Sequence, residues 1–171
     1  FFWSYLRLKN ITPRLSFSIP SGNFGHAYAG WMAREMGLPI ERFLVATNSN
    51  DVLHNLFSNN LYERNNVSKT LAPSMDISIS SNFERLLYNL YEDNSDLLSE
   101  AMKTFANESI QIPNERWAEV KEIFSSLSST DEQIIRQIKK TYSNFNYLAD
   151  PHTATGLRAT ESLALKGETI V

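Results

Sequence analysis

Leu15-Ser16-Phe17-Ser18-Ile19-Pro20-Ser21-Gly22-Asn23-Phe24-Gly25 is the stretch that decides the reading of this chain. Its first half alternates apolar and polar residues and then meets a proline, which marks a short strand. Residues 21–25 form a turn of small residues. Beyond it, Ala27, Ala29, Gly30, Trp31 and Met32 fall into a helical pattern that Gly37 closes. Strand, glycine turn and helix in this order point several unpaired backbone N–H groups and the positive end of a helix dipole at one spot. Glycine permits close approach of an anion and a positive φ, and Ser21 and Asn23 can add side-chain donors. A phosphate fits such a loop. The same turn also arises for purely steric reasons, and both readings stand at this point. The loop is neither G-x-G-x-x-G nor G-x-x-x-x-G-K-[ST], so dinucleotide and Walker-type readings lose support.

Working outward, Phe43-Leu44-Val45-Ala46 is a continuous apolar run suited to a strand buried on both faces. Asn50 or Asp51 can cap a following helix that carries Val52, Leu53, Leu56 and Phe57. With right-handed crossovers, strand–helix–strand–helix gives a parallel α/β sheet. From about Asn82 the pattern turns helical. Phe83, Leu86, Leu87, Leu90 and Tyr91 mark one helix, and Leu97, Leu98, Ala101 and Phe105 a second. Trp117, Val120, Ile123 and Phe124 mark a third, and a capping box at Thr130 and Gln133 opens a fourth. The stretch 82–145 is therefore expected to be a mainly helical subregion. Between residues 92 and 132 it holds ten Asp and Glu against three Lys and Arg. This is read as a solvated face or, alternatively, a partner surface.

The opening Phe1-Phe2-Trp3-Ser4-Tyr5-Leu6 reads as the last turns of a core helix, and Glu168-Thr169-Ile170-Val171 as the start of a strand. Both ends are expected to be cuts through a larger domain; a natural terminal helix and edge strand are the alternative. At 171 residues the chain has the length of one domain. Its 12% aromatic content argues against disorder. With no cysteine there is no disulfide framework or thiolate metal site. Three histidines form no His-x-x-x-His pair, so no metal site is expected. The net charge of −3 gives no basic footprint for nucleic acid. No apolar run has membrane-span length. A cytoplasmic protein with no nucleic-acid or membrane partner is the expectation.

Three further clusters carry polar groups. Ala46-Thr47-Asn48-Ser49-Asn50-Asp51 follows a buried strand, on the sheet edge where open α/β proteins bind ligands, and reads equally as a helix-capping loop. Thr70-Leu71-Ala72-Pro73-Ser74-Met75-Asp76 combines a proline turn with one carboxylate. In Asp150-Pro151-His152-Thr153, Asp150 is placed to cap a helix and Pro151 to begin it. His152 is a general acid–base candidate or a satisfied structural histidine.

Taken in order, these segments resemble threonine synthase, a pyridoxal 5′-phosphate enzyme of fold type II. The resemblance rests on residues 19–25, Leu38-Pro39-Ile40, residues 46–53, residues 70–77, Ser81-Asn82-Phe83-Glu84-Arg85-Leu86-Leu87 and Asp150-Pro151-His152-Thr153-Ala154. It implies a partial parallel-sheet cofactor domain spanning residues 1–171, the cofactor pyridoxal 5′-phosphate and the substrate O-phospho-L-homoserine. The implied reaction converts that substrate and water into L-threonine and phosphate. In the family the Ser-Gly-Asn-Phe-Gly loop holds the cofactor phosphate, which maps onto Ser21, Gly22, Asn23, Phe24 and Gly25. His26 stands where relatives often carry aspartate and is a further cofactor-site candidate. Asn48, Asn50, Ser74 and Asp76 match motifs that line or support the site. The family's Schiff-base lysine lies upstream in a Phe-Lys-Asp-type motif that none of the seven lysines here matches. No catalytic residue is therefore expected in this stretch, and the chain alone is expected to be inactive without the remainder of its enzyme. The alternatives are a related phospho-lyase and a non-catalytic anion- or cofactor-binding module.

Overall fold

The alternating residues at 15–19 form strand β1 (Leu15–Pro20), and the apolar run beyond Leu38 forms β2 (Ile40–Thr47), parallel to it with Pro20 opposite Ala46. These are part of a computed structural model that describes residues 1–10, 15–165 and 167–171. Strand β3 (Phe124–Ser128) lies parallel on the far side of β2, and β4 (Glu168–Ile170) parallel on the far side of β1. The resulting order is β3-β2-β1-β4. The chain thus builds outward from β1 in one direction and returns to its other side, so the strand order reverses at β1. In open α/β sheets the crevice at such a reversal, beyond the carboxyl ends of the strands, is where ligands bind.

One face of the sheet carries the main core. Helices α2 (Gly25–Glu35), α3 (Val52–Asn59), α4 (Phe83–Leu90), α5 (Ser95–Phe105) and α6 (Asn114–Ile123) contribute to it. Phe17, Ile19, Phe43, Val45 and Phe124 on the strands pack with Phe24, Leu53, Leu56, Phe83 and Phe105. Helix α2 comes so close to β2 that a Cβ on Gly30 would lie 2.6 Å from the Phe43 ring. On the other face lie α7 (Asp131–Phe145) and α8 (Pro151–Leu163), with a small core around Ile134, Ala149 and Ala154. Small residues of α8 sit directly on the strands, and Ser18 Oγ donates to Gly156 O at 2.8 Å.

Local signals explain the helix ends. Asn94 caps α5 through the N–H groups of Asp96 and Leu97. The reciprocal box between Thr130 and Gln133 starts α7. Asp150 caps α8 with Pro151 in its first turn. At α3, Asp51 occupies the N-cap position without a side-chain cap bond, while its carboxylate accepts from Asn55 Nδ2.

One expectation needs correction. Phe124 does not continue the third helix of the middle region: it begins β3, inside the stretch 82–145, and packs against Phe43 and Phe57. Helix α6 ends one residue earlier, where the backbone extends to pair with β2. The opening residues form the expected helix, α1 (Phe2–Leu8), at the edge of the core. Tyr5 and Leu8, with Phe1 before the helix, pack against the main core, while none of its residues is fully buried and Phe2, Trp3 and Leu6 are exposed.

Candidate functional site

Pro20 ends β1, and the next five residues turn the chain into α2. Ser21 N–H still donates to Ala46 O, which extends the β1–β2 ladder by one bond. After that the backbone leaves the sheet. The N–H groups of Gly22, Asn23, Phe24, Gly25 and His26 have no acceptor among the described residues. Phe24, the N-cap residue of α2, is left-handed at φ 65°, and Gly25 beyond it is helical. A left-handed residue beside a right-handed one turns successive N–H groups toward a common concavity, an anion-binding nest. The open end of the α2 dipole adds to the same potential. Ser21 is buried and Asn23 exposed, and neither Ser21 Oγ nor Asn23 Nδ2 is engaged by another described residue.

The loop is held from two sides. Ser80 Oγ donates to Gly22 O at 2.8 Å, Asn82 N–H donates to Asn23 O, and Ser81 Oγ reaches Asn23 Oδ1. Ser80 is in turn fixed by Tyr62, whose hydroxyl donates to Ser80 O and accepts from Ser80 N–H. Burial pushes the Tyr62 phenol up to about 12, so it stays a donor throughout the neutral range. On the other side, a 3₁₀ turn at Pro73–Met75 approaches Gly22. A Cβ there would lie 3.1 Å from Met75 Cα and 3.2 Å from Ser74 O, so any larger residue would crowd this backbone.

A buried polar knot fixes that 3₁₀ turn. Asn48, fully buried at the end of β2, shares the two N–H groups of Nδ2 among Thr70 Oγ1, Asp76 Oδ1 at 2.7 Å and Ala72 O. Its Oδ1 accepts from Asn50 N–H and Nδ2. Asn50 Nδ2 also donates to Asp76 Oδ1 and Ser68 O, and Asn50 Oδ1 accepts from Ser68 N–H. Thr70 completes the knot, with its hydroxyl on Asp76 Oδ1 and its N–H on Asp76 Oδ2. Burial works to raise the Asp76 carboxyl, but the hydrogen bonds from Thr70 and Asn48 outweigh it and hold Asp76 below its ordinary value.

The candidate residues therefore fall into two groups. Ser74 touches the loop through Gly22, whereas Asn48, Asn50 and Asp76 act on the loop's neighbour by clamping residues 68–76. His26 packs on the Phe1 ring, with centroids 4.8 Å apart, and burial pushes its imidazole below the ordinary value. His152 Nε2 accepts from Ser74 N–H at 3.3 Å, and its Nδ1 lies 3.0 Å from Asp150 Oδ1. Both ring nitrogens of His152 thus face a partner, one on the 3₁₀ turn and one in the α8 cap. Thr70, Ser80 and Tyr62 are the supports that sequence reasoning left unassigned. The small polar run Ser80-Ser81-Asn82 before α4 was a signal for Ser80, and nothing local pointed to Tyr62.

This architecture is an open parallel α/β sheet with a concave run of unpaired N–H groups at the carboxyl end of the strand where the order reverses. Compared with known proteins, the chain is homologous to threonine synthases over nearly its whole length. It is 42% identical over 160 residues to the threonine synthase of Pseudomonas aeruginosa, covering 93% of this chain and 34% of that protein. The crystal structure of yeast threonine synthase superposes with a TM-score of 0.89 at 37% identity, covering 96% of this chain and 36% of that one. A threonine synthase from Brucella melitensis, solved with PLP bound, gives 0.88 at 35% identity, over 94% of this chain and 35% of that one. The chain thus has the fold of the matching part of these enzymes, and it spans about a third of their length. No family model matches it. Among the described residues, no helix is long and apolar enough to cross a membrane and no group of His, Cys, Asp and Glu is arranged to hold a metal.

Proposed function

We propose that this chain forms part of a threonine synthase that uses pyridoxal 5′-phosphate to convert O-phospho-L-homoserine and water into L-threonine and phosphate. One observation carries the reading: the loop with five unpaired N–H groups lies within the segment that is 42% identical to a threonine synthase. The residues present fit the cofactor's phosphate, because a nest of free N–H groups at a helix start suits a dianion. When bound, the cofactor supplies an electron sink for carbanions formed next to its ring. The backbone of Gly22, Asn23, Phe24 and Gly25 grips the phosphate, with Ser21 Oγ and Asn23 Nδ2 as added donors and His26 at the rim. Asn48, Asn50 and Asp76 keep the 68–76 segment, and with it Ser74, against the loop. Residues 1–171 then act as a partial cofactor domain whose 82–145 region is a mainly helical addition that also supplies β3.

Every lysine among the described residues is exposed. An amine tuned for covalent work needs a desolvated pocket or a neighbouring cation to lower its pKa. We therefore place the cofactor-anchoring lysine in the remainder of the enzyme, in a cytoplasmic protein, and expect these 171 residues alone to release no phosphate from the substrate. The test incubates the full-length protein with pyridoxal phosphate and O-phosphohomoserine and measures threonine, 2-ketobutyrate and phosphate together. Threonine in step with phosphate supports the proposal. Phosphate with ketobutyrate and little threonine identifies a phospho-lyase instead. No turnover and no cofactor absorbance would leave a binding module.

A further inference from the structure

Helices α7 and α8 enclose a cleft of about 320 Å³ that the loop chemistry does not use. Arg136, Lys140 and Arg158 line it against a single carboxylate, Glu161. That carboxylate is already engaged: Lys140 Nζ lies 2.6 Å from Oε2, and Gln137 Nε2 donates to Oε1 at 3.1 Å. Arg158 is half-buried. Its Nη1 donates to Ser128 O and Ser129 Oγ, while Nε and Nη2 find no acceptor among the described residues. Arg136 makes a loose, exposed i,i+4 ion pair with Glu132 at 3.7 Å, too long for a hydrogen bond and weak in solvent.

The charges therefore do not close on themselves. Burial and the nearby Arg136 both work against the Arg158 charge. Tying Arg158 to the end of β3 uses one of its nitrogens and leaves the rest of its fork toward the cleft, opposite Arg136 on the facing helix. Planar guanidinium groups bind phosphate oxygens in pairs, and Gln133 and Ser162 add neutral donors at the mouth.

We propose that the cleft between α7 and α8 binds a small phosphate-bearing ligand, gripped by Arg136 and the free edge of Arg158 with Lys140 at the rim. It is separate from the nest at residues 21–25. The two are nevertheless linked, because the Ser128 carbonyl that Arg158 holds belongs to the residue whose Oγ donates to Asn48 O.

Pyrophosphate is the probe, titrated calorimetrically into the full-length protein at fixed low ionic strength with saturating pyridoxal phosphate, which occupies any competing phosphate nest. The expected result is one pyrophosphate bound per chain with cofactor present. Arg136→Gln is expected to weaken it about tenfold, the loss of one charge-assisted bond. Arg158→Lys should weaken it similarly, since lysine lacks the planar fork. Arg136 is exposed and holds no hydrogen bond, so its variant should melt at the wild-type temperature and keep the test readable if Arg158→Lys folds poorly. Absence of binding, displacement by pyridoxal phosphate, or unchanged affinity in Arg136→Gln overturns the proposal.

Discussion

Replacing Asp76 by asparagine changes almost no volume and tests whether the polar knot is held by charge or merely by shape. All four contacts of the Asp76 carboxylate are donors: Asn48 Nδ2, Asn50 Nδ2 and Thr70 Oγ1 on Oδ1, and Thr70 N–H on Oδ2. An amide offers one acceptor. Either orientation of its NH₂ sets a donor against a donor, at Thr70 N–H in one case and at the Asn48–Asn50 pair in the other. An unsatisfied donor in a buried setting costs about 1–3 kcal/mol. The remaining bonds, no longer charge-assisted, fall to about half their strength. Asn48 and Asn50 keep their bonds to Ala72 O and Ser68 O, and Asp76 is only partly buried, so water screens part of the loss. A net destabilisation of about 2 kcal/mol follows.

Urea unfolding of the full-length protein at neutral pH, with the m-value unchanged, reads this directly. The pH dependence supplies a second reading. The folded-state pKa of Asp76 lies below its unfolded value. Its contribution is therefore fully present above the unfolded value near 4 and is lost as the pH falls through the folded one. The gap between wild type and Asp76→Asn should narrow as the pH drops below about 4. A gap under about 0.5 kcal/mol at neutral pH, or one that widens in acid, refutes the account of the knot.

Gly22→Ala forces a Cβ against backbone atoms of Ser74 and Met75 that cannot rotate away. Overpacking of this kind costs about 1–3 kcal/mol, and cofactor affinity should fall with it, which absorbance titration would detect. Asp150→Ala removes the α8 cap, with a loss of about 1 kcal/mol at pH 7 by urea unfolding. The Thr153 hydroxyl above all, with His152, holds the Asp150 carboxyl down at about 2, despite a smaller opposing effect of burial. That contribution is present above the unfolded value near 4 and fades as the pH falls toward 2, so wild type and variant should converge there.

The sheet and most of the helices were legible because their signals are local. Apolar spacing and capping residues such as Thr130, Gln133 and Asp150 act within a turn or two of their own position. What was hidden depends on distant partners. Ser125, Ser126 and Ser128 carry little strand signal, and β3 exists because β2 offers them a ladder. Phe124 keeps a helical spacing from Val120 and Ile123, so periodicity alone could not move it into a strand. The alternation at β1 suggests one wet face, yet Ser16 and Ser18 are buried beneath α8. Asn48 and Asn50 were visible as polar residues after a strand. Their partners Ser68, Thr70 and Asp76 lie 18 to 28 residues on, and only the fold joins them.

Phe24 explains why the nest is built before a ligand arrives. A non-glycine residue at φ 65° bears a steric cost of roughly 1–2 kcal/mol. Glycine would remove that cost. The phenylalanine ring, however, is 1% exposed and packs among Phe57, Phe83 and Phe124 at centroid separations of 5.5–5.7 Å. Burying it contributes about 1.5–3 kcal/mol, which outweighs the backbone strain. The ring therefore anchors the left-handed turn from inside the core, while the Ser80 and Asn82 bonds hold it from outside. A glycine here would free the N–H groups to find other orientations, and that entropy would be charged against binding. The proposed grip on a phosphate would thus rest on core packing as much as on the loop's own glycines.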